Sequence, residues 1–169
     1  MSISDYVIDL ALIALVLRQV RERRLTPRSS VLPLAIAAWA VASYFQGVPT
    51  AGNDLVLAAA GAAAGIALGS ATGLVTRVRR TADGEVRARA GTLAAGLWVV
   101  GTGARFAFQL YATHGGAGAI GRFSLSHGIT STEAWVDALL FMAVGEVVAR
   151  SAVLAVRRHS AAHAVVAGA

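Results

Sequence analysis

Five ionisable side chains stand inside stretches that otherwise carry almost no charge: Asp9, Arg105, Asp137, Glu146 and Arg150. A charge deep in an apolar environment costs at least about 2.5 kcal/mol on insertion scales, so it persists only with a counter-charge or a task. Counted from the ends of their apolar stretches, Arg105, Asp9 and Asp137 fall at comparable depth, which predicts an Arg105 cluster with one or both aspartates. Such a cluster is either a buried ion pair that fixes helix register or a site for an anionic or protonatable ligand. Glu146 lies four residues before Arg150, the helical spacing for a pair; read functionally, it is a protonatable carboxylate in a transport path.

His114 and His127 flank a glycine-rich stretch, and neutral imidazole could hold a metal or an axial haem position there. Two histidines without further ligands are the common lot of a surface loop, so no cofactor is expected and a metal remains at most a role for that pair. The chain has no cysteine, which removes disulfides, thiolate ligation and thiol catalysis. Nothing resembles a catalytic triad, a phosphate loop or a zincin helix, and no enzyme is predicted.

These groups must be positioned by membrane helices. Of 169 residues, 56% are hydrophobic and 14% charged, with a mean hydropathy of +0.64; a soluble body of this size has no room for so much apolar surface. All 15 basic residues are arginine. Twelve fall into three clusters: Arg18, Arg21, Arg23, Arg24 and Arg28; Arg77, Arg79, Arg80, Arg87 and Arg89; Arg157 and Arg158. Basic residues in short loops stay on the cytoplasmic side, so the three clusters are predicted to share one face, against anionic headgroups. In this setting the formal charge of +6 speaks for lipid and against nucleic acid.

A crossing needs about 20 mostly apolar residues. Five stretches qualify, over about 3–20, 31–47, 54–76, 91–111 and 133–156, which puts the N-terminus outside and the C-terminus inside. Residues 1–158 thus form one transmembrane helical domain and 159–169 a short cytoplasmic tail. Pro33 is expected in the first turn of the second span, where its missing N–H costs little. Asn53 or Asp54 is expected to cap the third span, and Thr130 with Glu133 to form a capping box for the fifth. Residues 112–130 read as an external glycine-rich loop. Between the third and fourth spans, Val78 and Val86 flank Asp83-Gly84, the chemistry of a tight turn. A two-stranded cytoplasmic hairpin carrying Arg77, Arg79, Arg80, Asp83, Gly84, Arg87 and Arg89 follows, one that needs outside support because an isolated hairpin is marginal.

Gly61, Gly65, Gly69 and Gly73 recur every fourth residue and line one stripe of the third span. In lipid such a stripe lets another backbone approach closely, either within the chain or in a second subunit.

Arg18-Gln19-Val20-Arg21-Glu22-Arg23, Gly69-Ser70-Ala71-Thr72-Gly73, the hairpin from Thr76-Arg77-Val78 to Asp83-Gly84-Glu85-Val86, and Trp98 with Arg105 together resemble the CcdC-like family of small bacterial membrane proteins, particularly its actinobacterial members. The resemblance spans about Arg18 to Arg158 and implies a gene neighbourhood tied to cytochrome c biogenesis, but no catalytic residue.

The expectation is therefore an all-α integral membrane protein, a five-span bundle of the bacterial plasma membrane. It is expected to act without catalysis, through helix packing or membrane-protein partners, including a second copy, with its arginine-rich face as the docking surface. The alternative is a small-molecule or ion carrier built on Asp9, Arg105 and Asp137; a third reading is haem or metal handling.

Overall fold

The computed structural model describes residues 23–24, 27–44, 51–81, 83 and 85–163. The span expected over 3–20, with Asp9, lies outside them. The elements are β1 (Arg23–Arg24), α1 (Pro27–Tyr44), α2 (Asp54–Val75), β2 (Arg77–Arg80), β3 (Val86–Arg89), α3 (Thr92–Tyr111), a π-helical turn (Ala112–Gly116), α4 (Ala117–Ser126) and α5 (Glu133–His163).

Three helical segments are long and apolar enough to cross a membrane: Asp54–Val75, Thr92–Ser126 and Glu133–Ala161. The second expected span appears as α1, which begins at Pro27 rather than near Val31. Proline suits a first helical position because its φ is preset and its absent N–H has no partner to lose. Pro33 therefore sits in the helix interior rather than in the first turn.

The burial pattern is compatible with a lipid surrounding. The deepest hydrophobic positions are small, among them Ala58, Ala94, Ala134 and Ala138, whereas Val56, Leu74, Leu93, Val100 and Phe106 face outward. Helices in lipid gain nothing by hiding leucine from hydrocarbon; they associate by close backbone packing and polar contacts.

The glycine stripe provides that packing within the chain. A Cβ built on Gly61, Gly65 or Gly69 would collide with the main-chain oxygen of Ala138, Met142 or Glu146, and one on Gly73 would meet the Val153 side chain at 2.8 Å. Four residues on α2 answer four on α5, so the two helices run parallel in constant register. Gly145 of α5 returns the contact, since a Cβ there would lie 2.9 Å from the Ala62 oxygen.

Each end of this pair is tied. At the start of α2, Asp54 is buried and accepts from the Thr130 N–H at 2.7 Å, the Thr130 hydroxyl at 2.7 Å and the Ser131 hydroxyl at 3.2 Å. Asn53 donates from its backbone N–H to Gly128 and from its amide to the His127 carbonyl, each at 2.8 Å. Neither residue caps α2 as expected, because each reaches across to the segment before α5. Nor does Thr130 form the capping box: its hydroxyl is spent on Asp54, and Ser131 Oγ accepts from the Ala134 N–H at 3.1 Å instead. At the far end, Arg157 Nη1 donates to the carbonyls of Gly73 at 2.8 Å and Leu74 at 2.7 Å, and also to Thr76. These are carbonyls that a helix C-terminus leaves without internal partners.

The expected hairpin forms, and it gains a strand. β2 and β3 pair antiparallel with Arg77 opposite Arg89, Val78 opposite Ala88, Arg79 opposite Arg87 and Arg80 opposite Val86. β1 adds on the other side of β3, Arg23 opposite Ala88 and Arg24 opposite Arg87, and the sheet packs on α5. The chain thus supplies the support that two strands alone lack. Pairing stops at Arg80 and Val86, and the Thr81 N–H donates to the Glu85 carbonyl at 2.8 Å. The connection is longer than the two-residue turn expected of Asp83-Gly84.

Most of the expected loop over 112–130 is helical: residues 112–126 are helix, and only 127–130 remain outside it. α3 passes through the π-helical turn into α4, with a kink at His114 (φ −116°, ψ 50°) and Gly115 (φ 99°); the positive φ is one glycine reaches without a Cβ penalty. α5 likewise continues beyond residue 156 to His163, through the start of the expected tail.

Candidate functional site

One buried carboxylate meets an arginine at the junction of α2, α3 and α5. Arg105 Nη1 donates to Glu146 Oε2 at 2.8 Å, with side-chain exposures of 20% and 6%. Arg105 Nη2 lies 3.5 Å from Thr102 Oγ1. Gly101 makes the room: a Cβ there would stand 3.3 Å from both Glu146 Oε2 and Leu68 Cδ1. Gly69 presses on the main chain of Glu146 from the α2 side. Glycines on two helices therefore shape the slot that holds the carboxylate, and arginine on the third face neutralises it.

The partner of Arg105 is thus Glu146; of the two aspartates expected from depth counting, Asp137 does not meet it. Asp137 and Glu146 are nine residues apart on one helix, about 13.5 Å at 1.5 Å per residue, so one guanidinium cannot serve both. The count failed because it took Tyr111 as the end of the fourth span, whereas the helical path runs on to Ser126. Asp137 is buried and makes no hydrogen bond or ion pair among the described residues. Asp9 lies outside them. Arg150 follows Glu146 by one turn, and its carbonyl faces Gly73.

The two histidines serve their own turns. His114 Nδ1 lies 3.0 Å from both the Leu110 carbonyl and Thr113 Oγ1, and His127 Nδ1 2.9 Å from both the Phe123 carbonyl and Ser126 Oγ. The His127 ring stacks on Phe123 with centroids 4.0 Å apart, and the ten residues of α4 stand between the two imidazoles. No group of three or more potential metal ligands occurs among the described residues.

Near that end an aromatic cluster forms that hydropathy alone does not reveal. Phe108 stacks on Trp135 at 5.1 Å and Phe123 tilts against it at 6.0 Å, while Trp135 Nε1 donates to Ser124 Oγ at 3.0 Å. Tyr111, Ile120, Phe123 and Trp135 line an open apolar cleft of about 230 Å³.

The opposite end gathers charge. β1 brings Arg23 and Arg24 beside β3, the hairpin carries Arg77, Arg79, Arg80, Arg87 and Arg89, and Arg157 is hydrogen-bonded to the end of α2. Members of all three sequence clusters meet there. Sequence places Arg157 only as a surface charge; the constant α2 to α5 register, which the structure sets, carries it to the helix terminus. No family model, curated protein or solved structure matches this chain.

Proposed function

We propose that the protein is a non-enzymatic multi-pass protein of the bacterial plasma membrane, which holds its arginine-rich sheet at the cytoplasmic surface as the docking face for an anionic partner. The observation that carries this is the convergence of the three arginine clusters at one end of parallel, tightly packed helices. Basic residues flanking apolar spans collect on the cytoplasmic side, and a rigid helix pair fixes the sheet relative to the bilayer. On the residues quoted above, the chain resembles the CcdC-like family.

The absence of cysteine makes topology directly testable. Asp83→Cys at the hairpin and Leu125→Cys at the other end, where Leu125 is 84% exposed, are labelled with a membrane-impermeant thiol reagent on sealed right-side-out vesicles. Leu125→Cys reacts at once and Asp83→Cys only after permeabilisation. The reverse order overturns the proposal.

A second reading makes the Arg105 junction a binding site for a small anion. It is favoured by Nη2 of Arg105, whose 3.5 Å contact with Thr102 is longer than a good hydrogen bond. Here Arg105→Gln loses a ligand mass that the wild type retains in native mass spectrometry, with helicity unchanged.

A further inference from the structure

The strand register creates an electrostatic problem that the described residues do not solve. Arg77 stands directly opposite Arg89, and Arg79 directly opposite Arg87. Like charges directly opposite one another in an antiparallel pair are destabilising. On the other side of β3, the backbone of β1 sets Arg24 opposite Arg87. Among the described residues, the acid within ion-pair distance of these two pairs is Glu85, 3.4 Å from Arg87 Nη2. Arg87 Nε is buried with no hydrogen-bond partner, and Arg77, Arg79 and Arg89 are exposed while Ala88 on the alternate side is buried.

The location specifies the missing counter-charge. Only Thr76 separates α2 from Arg77, and only Ala90 and Gly91 separate Arg89 from α3. Both helices are long and apolar enough to cross a bilayer, so the Arg77 and Arg89 pair sits where hydrocarbon gives way to headgroups. The Arg79 and Arg87 pair lies two residues further out, roughly 7 Å along the strands. Guanidinium binds phosphate by paired N–H donors. Anionic phospholipid is the phosphate source fixed at that depth.

We propose that the two cross-strand arginine pairs are a phospholipid site, each pair clamping the phosphate of an anionic headgroup, and that this lipid is the anionic partner of the face described above. The inference rests on the cytoplasmic placement of the sheet.

The full chain in mild detergent is titrated with phosphatidylglycerol, and with phosphatidylcholine as the neutral comparison, and bound lipid is read by native mass spectrometry. Wild type retains phosphatidylglycerol in preference to phosphatidylcholine and releases it as salt rises. Arg77→Gln with Arg89→Gln weakens this retention about thirtyfold, as expected for two basic residues at an anionic surface. Arg122→Gln, on α4 at the other end, leaves it unchanged. If the double variant does not fold, the wild-type salt titration and Arg77→Lys with Arg89→Lys decide: the lysine variant keeps the charge but loses the bidentate geometry, and its affinity falls between the two. Equal retention of both lipids, equal retention by wild type and double variant, or an acidic protein held in place of lipid overturns the site. Labelling of Asp83→Cys from the outside instead overturns the placement on which it rests, whatever the lipid result.

Discussion

Gly69 lies against the main chain of the same Glu146 whose carboxylate accepts the hydrogen bond of Arg105. One residue of α5 thus joins the backbone packing of α2 to the ion pair of α3. The contact explains how a carboxylate persists in the middle of an apolar helix: close packing excludes other geometries, and the paired arginine supplies the counter-charge.

The stripe predicts a contrast between glycines. Gly65→Ala must push the Met142 carbonyl away and separate α2 from α5, destabilising the protein by about 1–3 kcal/mol. Gly96→Ala on α3 meets nothing within 4 Å and is neutral or stabilising by up to about 1 kcal/mol. Unfolding in mixed detergent micelles, followed by circular dichroism, ranks the two.

The ion pair predicts non-additivity. Glu146→Gln strands Arg105 and costs about 3–5 kcal/mol. Combining it with Arg105→Gln removes the stranded charge and restores a large part of that loss, a coupling that a double-mutant cycle measures. Additive losses would show that the two side chains act independently.

Arg157→Gln withdraws the donor from the carbonyls of Gly73, Leu74 and Thr76. The expected loss is about 1–2 kcal/mol, concentrated at the end of α2 and the base of the sheet. Amide hydrogen exchange should accelerate over residues 74–80 and stay unchanged around Asp54.

The opposite end responds to Asp54→Asn. The amide keeps one acceptor oxygen but has to satisfy the N–H and hydroxyl of Thr130 and the hydroxyl of Ser131, for which the carboxylate offers two. A loss of about 1–3 kcal/mol and faster proteolysis of the 127–132 connection are expected, with the sheet end protected as before.

Of the five spans expected from the sequence, three stand as helices long and apolar enough to cross a membrane; these, the hairpin after Arg77, the glycine stripe and the grouping of arginine were legible because each is written in local composition or in a short fixed spacing. Periodicity and hydropathy need no knowledge of what lies opposite. Tertiary structure decided everything that depends on a partner far along the chain. It set the stripe against α5 and gave Glu146, rather than Asp137, to Arg105. It turned Asp54 and Thr130 from helix caps into a tie between α2 and the start of α5, and it brought β1 to the hairpin. It also made residues 112–126 helical despite their glycines, because packing of Phe123 and Ser124 on Trp135 supplies what local propensity withholds. Depth counted along one helix carries no information about rotation or about which neighbour stands at that level; those are fixed only when the backbones touch.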